Sequence, residues 1–431
     1  MSEHEHWVER YQAVRGLTES LCLPLEPEDF VIQVCEDVSP PKWHLAHTSW
    51  FFETFLLIPE IAGYRPYHPL YSHLFNSYYE QVGSHIVRTD RGHLSRPTLK
   101  EIYAYRRHVD MHMVQWIQSE NLEAKAHLRS ILELGLHHEQ QHQELLLMDI
   151  KMNFYLNPLK PSYSTPNSPQ PQVRISPHWK RIQGGLVSIG HDSESFAFDN
   201  ETPRHHAWLN DYELASLPVT NEEFLEFMEA GGYERSEYWL SDGWETVQKQ
   251  GWNAPLYWDK IEGEWWVFTL SGYQKLNPDE PVCHVSFYEA DAFSRWAGAR
   301  LPTEEEWEHA FRTEWPSFGH FLESGTFHPR PASPSQPVAP SQSTGELLQG
   351  FGDVWEWTSS PYAPYPGYKP AHGALGEYNG KFMSNQMVLR GGCCVTPKDH
   401  IRATYRNFYR PEKRWPFTGF RLARDIKEDR V

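Results

Sequence analysis

Two histidines four residues apart, His138 and His142, stand in the run His138-Glu139-Gln140-Gln141-His142, with Glu144 just beyond. That spacing sets both imidazoles on one face of any helix that carries them. Two ring nitrogens so placed can reach a single metal ion. The run also fits H-E-x-x-H, in which two zinc-binding histidines work with a glutamate general base, here Glu139. The same spacing arises on exposed helix faces, and the chain has 24 histidines. A third ligand from another part of the chain therefore has to decide.

The elements that position this pair are helical. The motif lies inside a long apolar-periodic run from about Ala124 to about Phe154. Glu3–Leu21 carries Trp7, Tyr11, Val14 and Leu17 at helical spacing. Ser39-Pro40-Pro41 opens a second helix, with Ser39 as the expected cap, and this helix sets Trp43, His47, Trp50, Phe51 and Thr54 on one face. Thr98-Leu99-Lys100-Glu101 reads as a capping box for a helix that ends near Ser119. Four long helices suggest a bundle, and bundle interiors commonly hold metals. Gly63–Arg96 is a long irregular stretch that contains Tyr78-Tyr79, and loops of that length are often functional.

Beyond the helices the texture changes. The run 157–172 is rich in Pro, Ser and Asn and reads as an extended linker. From about Val173, short β-like runs alternate with Gly, Asn and Trp. Ile182–Gly190 reads as a hairpin, Thr220 and Thr303 as helix caps, and 331–343 as an exposed Pro/Ser-rich loop. The expected division is a helical bundle over 1–156, a linker over 157–174 and an α+β second domain over 175–431.

Composition sets limits. A net charge of −18 over 431 residues argues against nucleic acid as the main partner. No apolar run approaches the roughly 18 residues of a membrane span, and MSEHEHWVER lacks the apolar core of a signal peptide. Five cysteines, two of them adjacent, fit a reduced cytoplasm better than a disulfide framework.

Several motifs carry a resemblance. Gly184-Gly185, Pro218-Val219-Thr220-Asn221, Arg300 to Glu308 (RLPTEEEWE), Gly352 to Trp357 (GDVWEW), Arg390-Gly391-Gly392 and Gly419-Phe420-Arg421 together resemble the formylglycine-generating-enzyme (sulfatase-modifying factor) domain, a variant of the C-type-lectin-like fold. The first 155 residues or so resemble a DinB-like four-helix bundle. The two in this order resemble the ergothioneine-biosynthesis sulfoxide synthases, the EgtB family.

The resemblance implies a third ligand. Its first iron histidine lies in Trp-x-Leu-Ala-His, here Trp43-His44-Leu45-Ala46-His47, so the implied Fe²⁺ ligands are His47, His138 and His142. His44, one turn away, is the rival. Three neutral imidazoles leave room on Fe(II) for substrates and O₂, although zinc also accepts three histidines. Glu139 then loses the role of base and is expected to face outward or to stand behind the ligands.

The implied substrates are hercynine (N-α-trimethylhistidine), a thiol and O₂, joined as a sulfoxide at imidazole C2. Gln141 is implied as a partner of the hercynine imidazole. Asn407 is implied at its trimethylammonium or carboxylate end, and Phe408, where the family often has Trp, as a cation–π face. O₂ chemistry needs a proton donor, and a phenol can give one. One branch takes this tyrosine from the C-terminal domain, but Tyr368–Gly380 offers no clear counterpart. The expectation therefore falls on Tyr78 and Tyr79. Arg88 and Arg91 match the spacing of the family's carboxylate-binding arginines. The Tyr-Tyr arrangement favours cysteine as the thiol, with γ-glutamylcysteine or a selenium donor as alternatives.

Rival readings are a true formylglycine-generating enzyme, an ovothiol-type synthase and a non-catalytic binding module. The first needs a spaced reactive cysteine pair, whereas Cys393 and Cys394 are adjacent. The second usually carries a methyltransferase domain that this chain has no room for. The third would hold a structural metal or none.

Overall fold

The computed structural model describes residues 3–165, 174–193, 195–312, 319–333 and 347–426. Part of the linker and most of the 331–343 run lie outside the described residues. The chain is α+β and divides into two compact units. The first holds residues 1–164 and takes in 370–378, and the second holds the remainder. The helical unit thus runs past the expected boundary at 156 and gathers a short segment from far along the chain.

Four longer helices frame the first unit: α1 (Glu3–Cys22), α2 (Pro41–Phe52), α3 (Leu99–Ser119) and α4 (Ala126–Leu156). Every residue of α2 is buried, because it packs against both α3 and α4. A π-helical turn, Glu53–Leu57, extends it. The Thr98–Glu101 capping box starts α3 as expected. The start of α2 differs from expectation. Pro40 is the N-cap, with no side-chain cap bond. Pro41 at the first helical position has no N–H to satisfy. Ser39 is therefore free for tertiary bonds. Its N–H donates to Asp149 Oδ2 at 2.8 Å, and its hydroxyl accepts from Arg91 at 2.9 Å.

The second unit is built from short sheets. Strand β1 (Trp179–Ile182) pairs with β4 (Tyr212–Ala215), and β2 (Gly185–Ile189) pairs with β3 (His205–Leu209). Ile182–Gly190 is therefore not a hairpin. Its two halves enter different sheets, and Gly184-Gly185 marks the crossing. A Cβ on Gly184 would lie 2.2 Å from the Leu209 carbonyl oxygen, and Gly185 has φ +114°. Strands β5 to β7 (258–275) form a meander. A four-stranded sheet runs in the order β10 (Asn407–Tyr409), β9 (Met387–Arg390), β8 (Trp355–Pro361) and β11 (Thr418–Gly419). Strand β12 (Ala423–Asp425) returns to β4.

Helices α5 (Asn221–Glu229), α7 (Phe287–Trp296) and α8 (Glu304–Phe311) each open on a capping box, from Thr220, Ser286 and Thr303. Helix α6 (Ser241–Gln250) lies between the first two and ends on left-handed Gly251. Buried arginine–glutamate pairs tie these loop-rich layers together. Arg421 binds Glu356 at 2.8 and 2.9 Å, and Trp307 Nε1 donates to the same carboxylate at 2.9 Å. Arg406 binds Glu304 through two bonds, and Arg390 binds Glu308. Cys393 and Cys394 are fully buried, in keeping with packing residues. Among the described residues, no helix is long and apolar enough to cross a membrane.

Candidate metal and substrate site

Helix α2 brings His47 to His138 and His142 on α4. One ring nitrogen from each lies within 4.8 Å of the others, and all three residues are buried. The tautomer of His47 follows from its partner. Its Nδ1 lies 2.5 Å from the Phe75 carbonyl, which can only accept, so Nδ1 carries the proton and Nε2 is bare. That Nε2 lies 3.1 Å from His138 Nε2. Trp43 stacks on the His47 ring at 4.4 Å and Trp50 at 5.4 Å, which fixes its plane. His138 Nδ1 is buried without a protein hydrogen-bond partner.

Burial drives all three imidazoles toward the neutral form. It pulls His138 down to about 3. It also holds His47 and His142 well below the ordinary value, with further repulsion from the neighbouring rings. Neutral imidazole is the form that binds a metal. Converging neutral nitrogens, with one buried ring atom left unsatisfied, form a donor set that fits a divalent transition metal.

His44 does not join the cluster. Its Nδ1 lies 2.8 Å from His142 Nδ1 and its Nε2 lies 3.0 Å from Asp149. Glu139 is not outward-facing. One position round the helix from His138, it is fully buried toward α1 and α3. There it accepts from Arg15 at 2.9 Å, from Thr18 at 2.7 Å and from Arg106. Burial alone would raise its carboxyl, but Arg106 and Arg15 outweigh that and hold it at about 2. Tied up as an ion pair, it is not available as the base of an H-E-x-x-H hydrolase.

Gln141 projects beside the ligands, and its Oε1 accepts a hydrogen bond from the Tyr378 hydroxyl. The Tyr378 ring centroid lies 5.8 Å from that of His138. This tyrosine comes with the segment 370–378, which Glu377 anchors. The Glu377 carboxylate accepts the backbone N–H groups of Glu80 and Gln81, at 3.0 Å each. Tyr378 thus supplies a C-terminal tyrosine at the site where no counterpart was expected. Tyr79 is buried against Trp50 and Phe55 and stacks on Tyr78 at 4.6 Å. Burial first, then Tyr78 and Tyr378, push its hydroxyl well above the ordinary value.

The two arginines part company. Arg91 is buried, with its guanidinium 3.5 Å from the centroid of the Trp43 ring that stacks on His47. Arg88 is exposed and donates to the Asp37 carbonyl. Asn407 and Phe408 lie on β10 of the second unit. There Phe408 stacks on Tyr362 at 4.0 Å, and Asn407 Oδ1 accepts the Phe408 N–H at 2.9 Å. They are not among the residues that the helical unit gathers around the triad.

Comparison with known proteins finds relatives for both parts of the chain. Residues 165–426 match the sulfatase-modifying factor enzyme 1-like domain, and residues 10–146 match the DinB superfamily. The hercynine oxygenase of Mycolicibacterium smegmatis is 34% identical over 314 residues, which is 68% of this chain and 71% of that protein. The chain belongs to the hercynine oxygenase family. The hercynine oxygenase of Mycolicibacterium thermoresistibile is 31% identical over 90% of this chain and 88% of its own length. The formylglycine-generating enzyme of Streptomyces coelicolor is 28% identical over only 62% of this chain. Kinship to hercynine oxygenases thus extends over both units.

Proposed function

We propose that this chain is an iron-dependent hercynine oxygenase that makes the sulfoxide precursor of ergothioneine. The observation that carries this reading is the buried, neutral His47–His138–His142 cluster with Gln141 and Tyr378 beside it. In the overall reaction the thiol loses its S–H proton and the imidazole its C2–H. One oxygen atom of O₂ goes to sulfur and the other leaves as water. Fe(II), when bound by the three histidines, supplies O₂ activation and a position for the thiolate.

The chain's own residues do the rest. The Gln141 amide orients the hercynine imidazole, and the Tyr378 hydroxyl, already bonded to Gln141, is placed to give a proton. Tyr79, kept protonated by burial, is the second candidate phenol, and Tyr78 stacks on it. Arg91 offers its fork to the thiol substrate's carboxylate, with Arg88 as an outer cation. Asn407 and Phe408 are proposed contacts for the trimethylammonium end on family resemblance. Cysteine is the proposed thiol, and the cytoplasm, where free thiols persist, is the proposed site of action.

The deciding experiment loads the protein with Fe(II) without oxygen. Hercynine is added with cysteine, γ-glutamylcysteine or a selenosugar, and O₂ is then admitted. The expected product has the mass of hercynylcysteine sulfoxide. Absence of a coupled product with every donor overturns the reading. A protein that holds zinc and consumes no O₂ would instead be a binding module.

A further inference from the structure

One buried pair near the triad has no part in the scheme above. His44 and Asp149 are both almost fully buried, on α2 and α4. Asp149 Oδ2 accepts the Ser39 N–H at 2.8 Å, so this oxygen acts as an acceptor. The same oxygen lies 3.0 Å from His44 Nε2, which must therefore carry a proton. A proton on Nε2 lets His44 Nδ1 serve as the acceptor on the other side of the ring. His142 Nδ1 lies 2.8 Å away and must be the donor. The proton on His142 Nδ1 leaves Nε2 as its free lone pair. Each bond in the series dictates the direction of the next, from a backbone amide at one end to a bare ring nitrogen at the other.

We infer that Asp149 and His44 are positioning residues that lock His142 into its metal-binding tautomer and strengthen it as a ligand. The inference rests on the reading of the triad as a metal site. A carboxylate acting through His44 withdraws the Nδ1 proton of His142 and enriches the opposite nitrogen, the known effect of hydrogen-bonded partners behind a metal ligand. The three ligands are then unequal. His47 leans on a plain carbonyl, His138 Nδ1 has no protein hydrogen-bond partner, and His142 alone has a carboxylate at the end of its chain.

The test measures anaerobic Fe(II) affinity and the visible spectrum of the Co(II) form, with circular dichroism to confirm the fold. His44→Leu breaks the series. His44→Gln keeps one donor and one acceptor in the same order. Asp149→Asn is made in the parent and in His44→Leu, because any change at the Ser39 bond affects both backgrounds alike and cancels in the cycle. The expected result is a loss of roughly 10–100-fold in affinity with a changed Co(II) spectrum for His44→Leu, and recovery of most of it by His44→Gln. Asp149→Asn should weaken metal binding in the parent and have no further effect on it in His44→Leu. If a folded His44→Leu protein binds Fe(II) like the parent, or if Asp149→Asn acts equally in both backgrounds, the inference fails while the metal site stands. If the parent binds no Fe(II), both fail together.

Discussion

In the helical unit three buried imidazoles turn toward one another, and one ring nitrogen among them, His138 Nδ1, has no protein hydrogen-bond partner. In the strand-rich unit Glu304, Glu308 and Glu356 meet arginines in closed ion pairs. Both regions bury polar groups that cost free energy to remove from water. The second repays this by pairing every one of these charges, which makes the groups architectural. The first lowers its cost by keeping the imidazoles neutral, which keeps them available. Polar burial thus marks a candidate site where neutral donors converge, and a scaffold where charges are paired. Glu139 shows the distinction at single-residue scale, because it adjoins a ligand in sequence yet belongs to a closed network with Arg15 and Arg106.

The sharpest way to break this contrast is to remove a converging donor. His138→Ala should abolish stoichiometric iron binding, and with it product formation, while the protein stays folded. Metal analysis beside circular dichroism checks this. Unfolding of the variant would make the histidines structural and erase the contrast. The reverse experiment is Arg421→Met, which strands the buried Glu356 carboxylate. It should cost about 3–5 kcal/mol in denaturant unfolding of the second unit, while leaving metal content unchanged.

Tyr378→Phe and Tyr79→Phe sharpen the picture within the site. Loss of the better-placed proton donor should slow sulfoxide formation by about 100-fold, the lower end of what general acids supply. We expect that loss at Tyr378, with a smaller one at Tyr79. Equal rates for both variants and the parent would remove phenols from the mechanism. The smallest effect concerns pH. Burial raises the Glu201 carboxyl, but Arg402, Thr404 and the Phe198 N–H bring it below the ordinary 4.5. Its contribution to stability is therefore complete above 4.5 and lost as pH falls through the lower folded value. The stability gap between the parent and Glu201→Gln should narrow below that pH, as followed by thermal unfolding.

Much of this was legible along the chain. Helical periodicity marked the four long helices, and the capping boxes at Thr98, Thr220 and Thr303 stand where the residue types placed them. The His138–His142 pair was visible because its spacing is a local property of a helix. The hairpin reading of Ile182–Gly190 failed because strand partners are chosen by distant residues. The cap reading of Ser39 failed because Asp149 and Arg91 claimed it.

By itself, then, the sequence determined what depends on neighbours within a turn or two: the helices and their caps, and the paired histidines. Motif resemblance extended that to the family. Motif resemblance named His47 over His44, and only the tertiary structure shows the different surroundings of the two. Both lie on α2, and the difference is that one finds Asp149 and His142 whereas the other finds Phe75 and His138. It alone set Tyr378 against Gln141, 237 residues away in sequence. The physical reason is the same in each case. A side chain's chemistry is fixed by its type, but its protonation, tautomer and partners are fixed by what the fold packs against it.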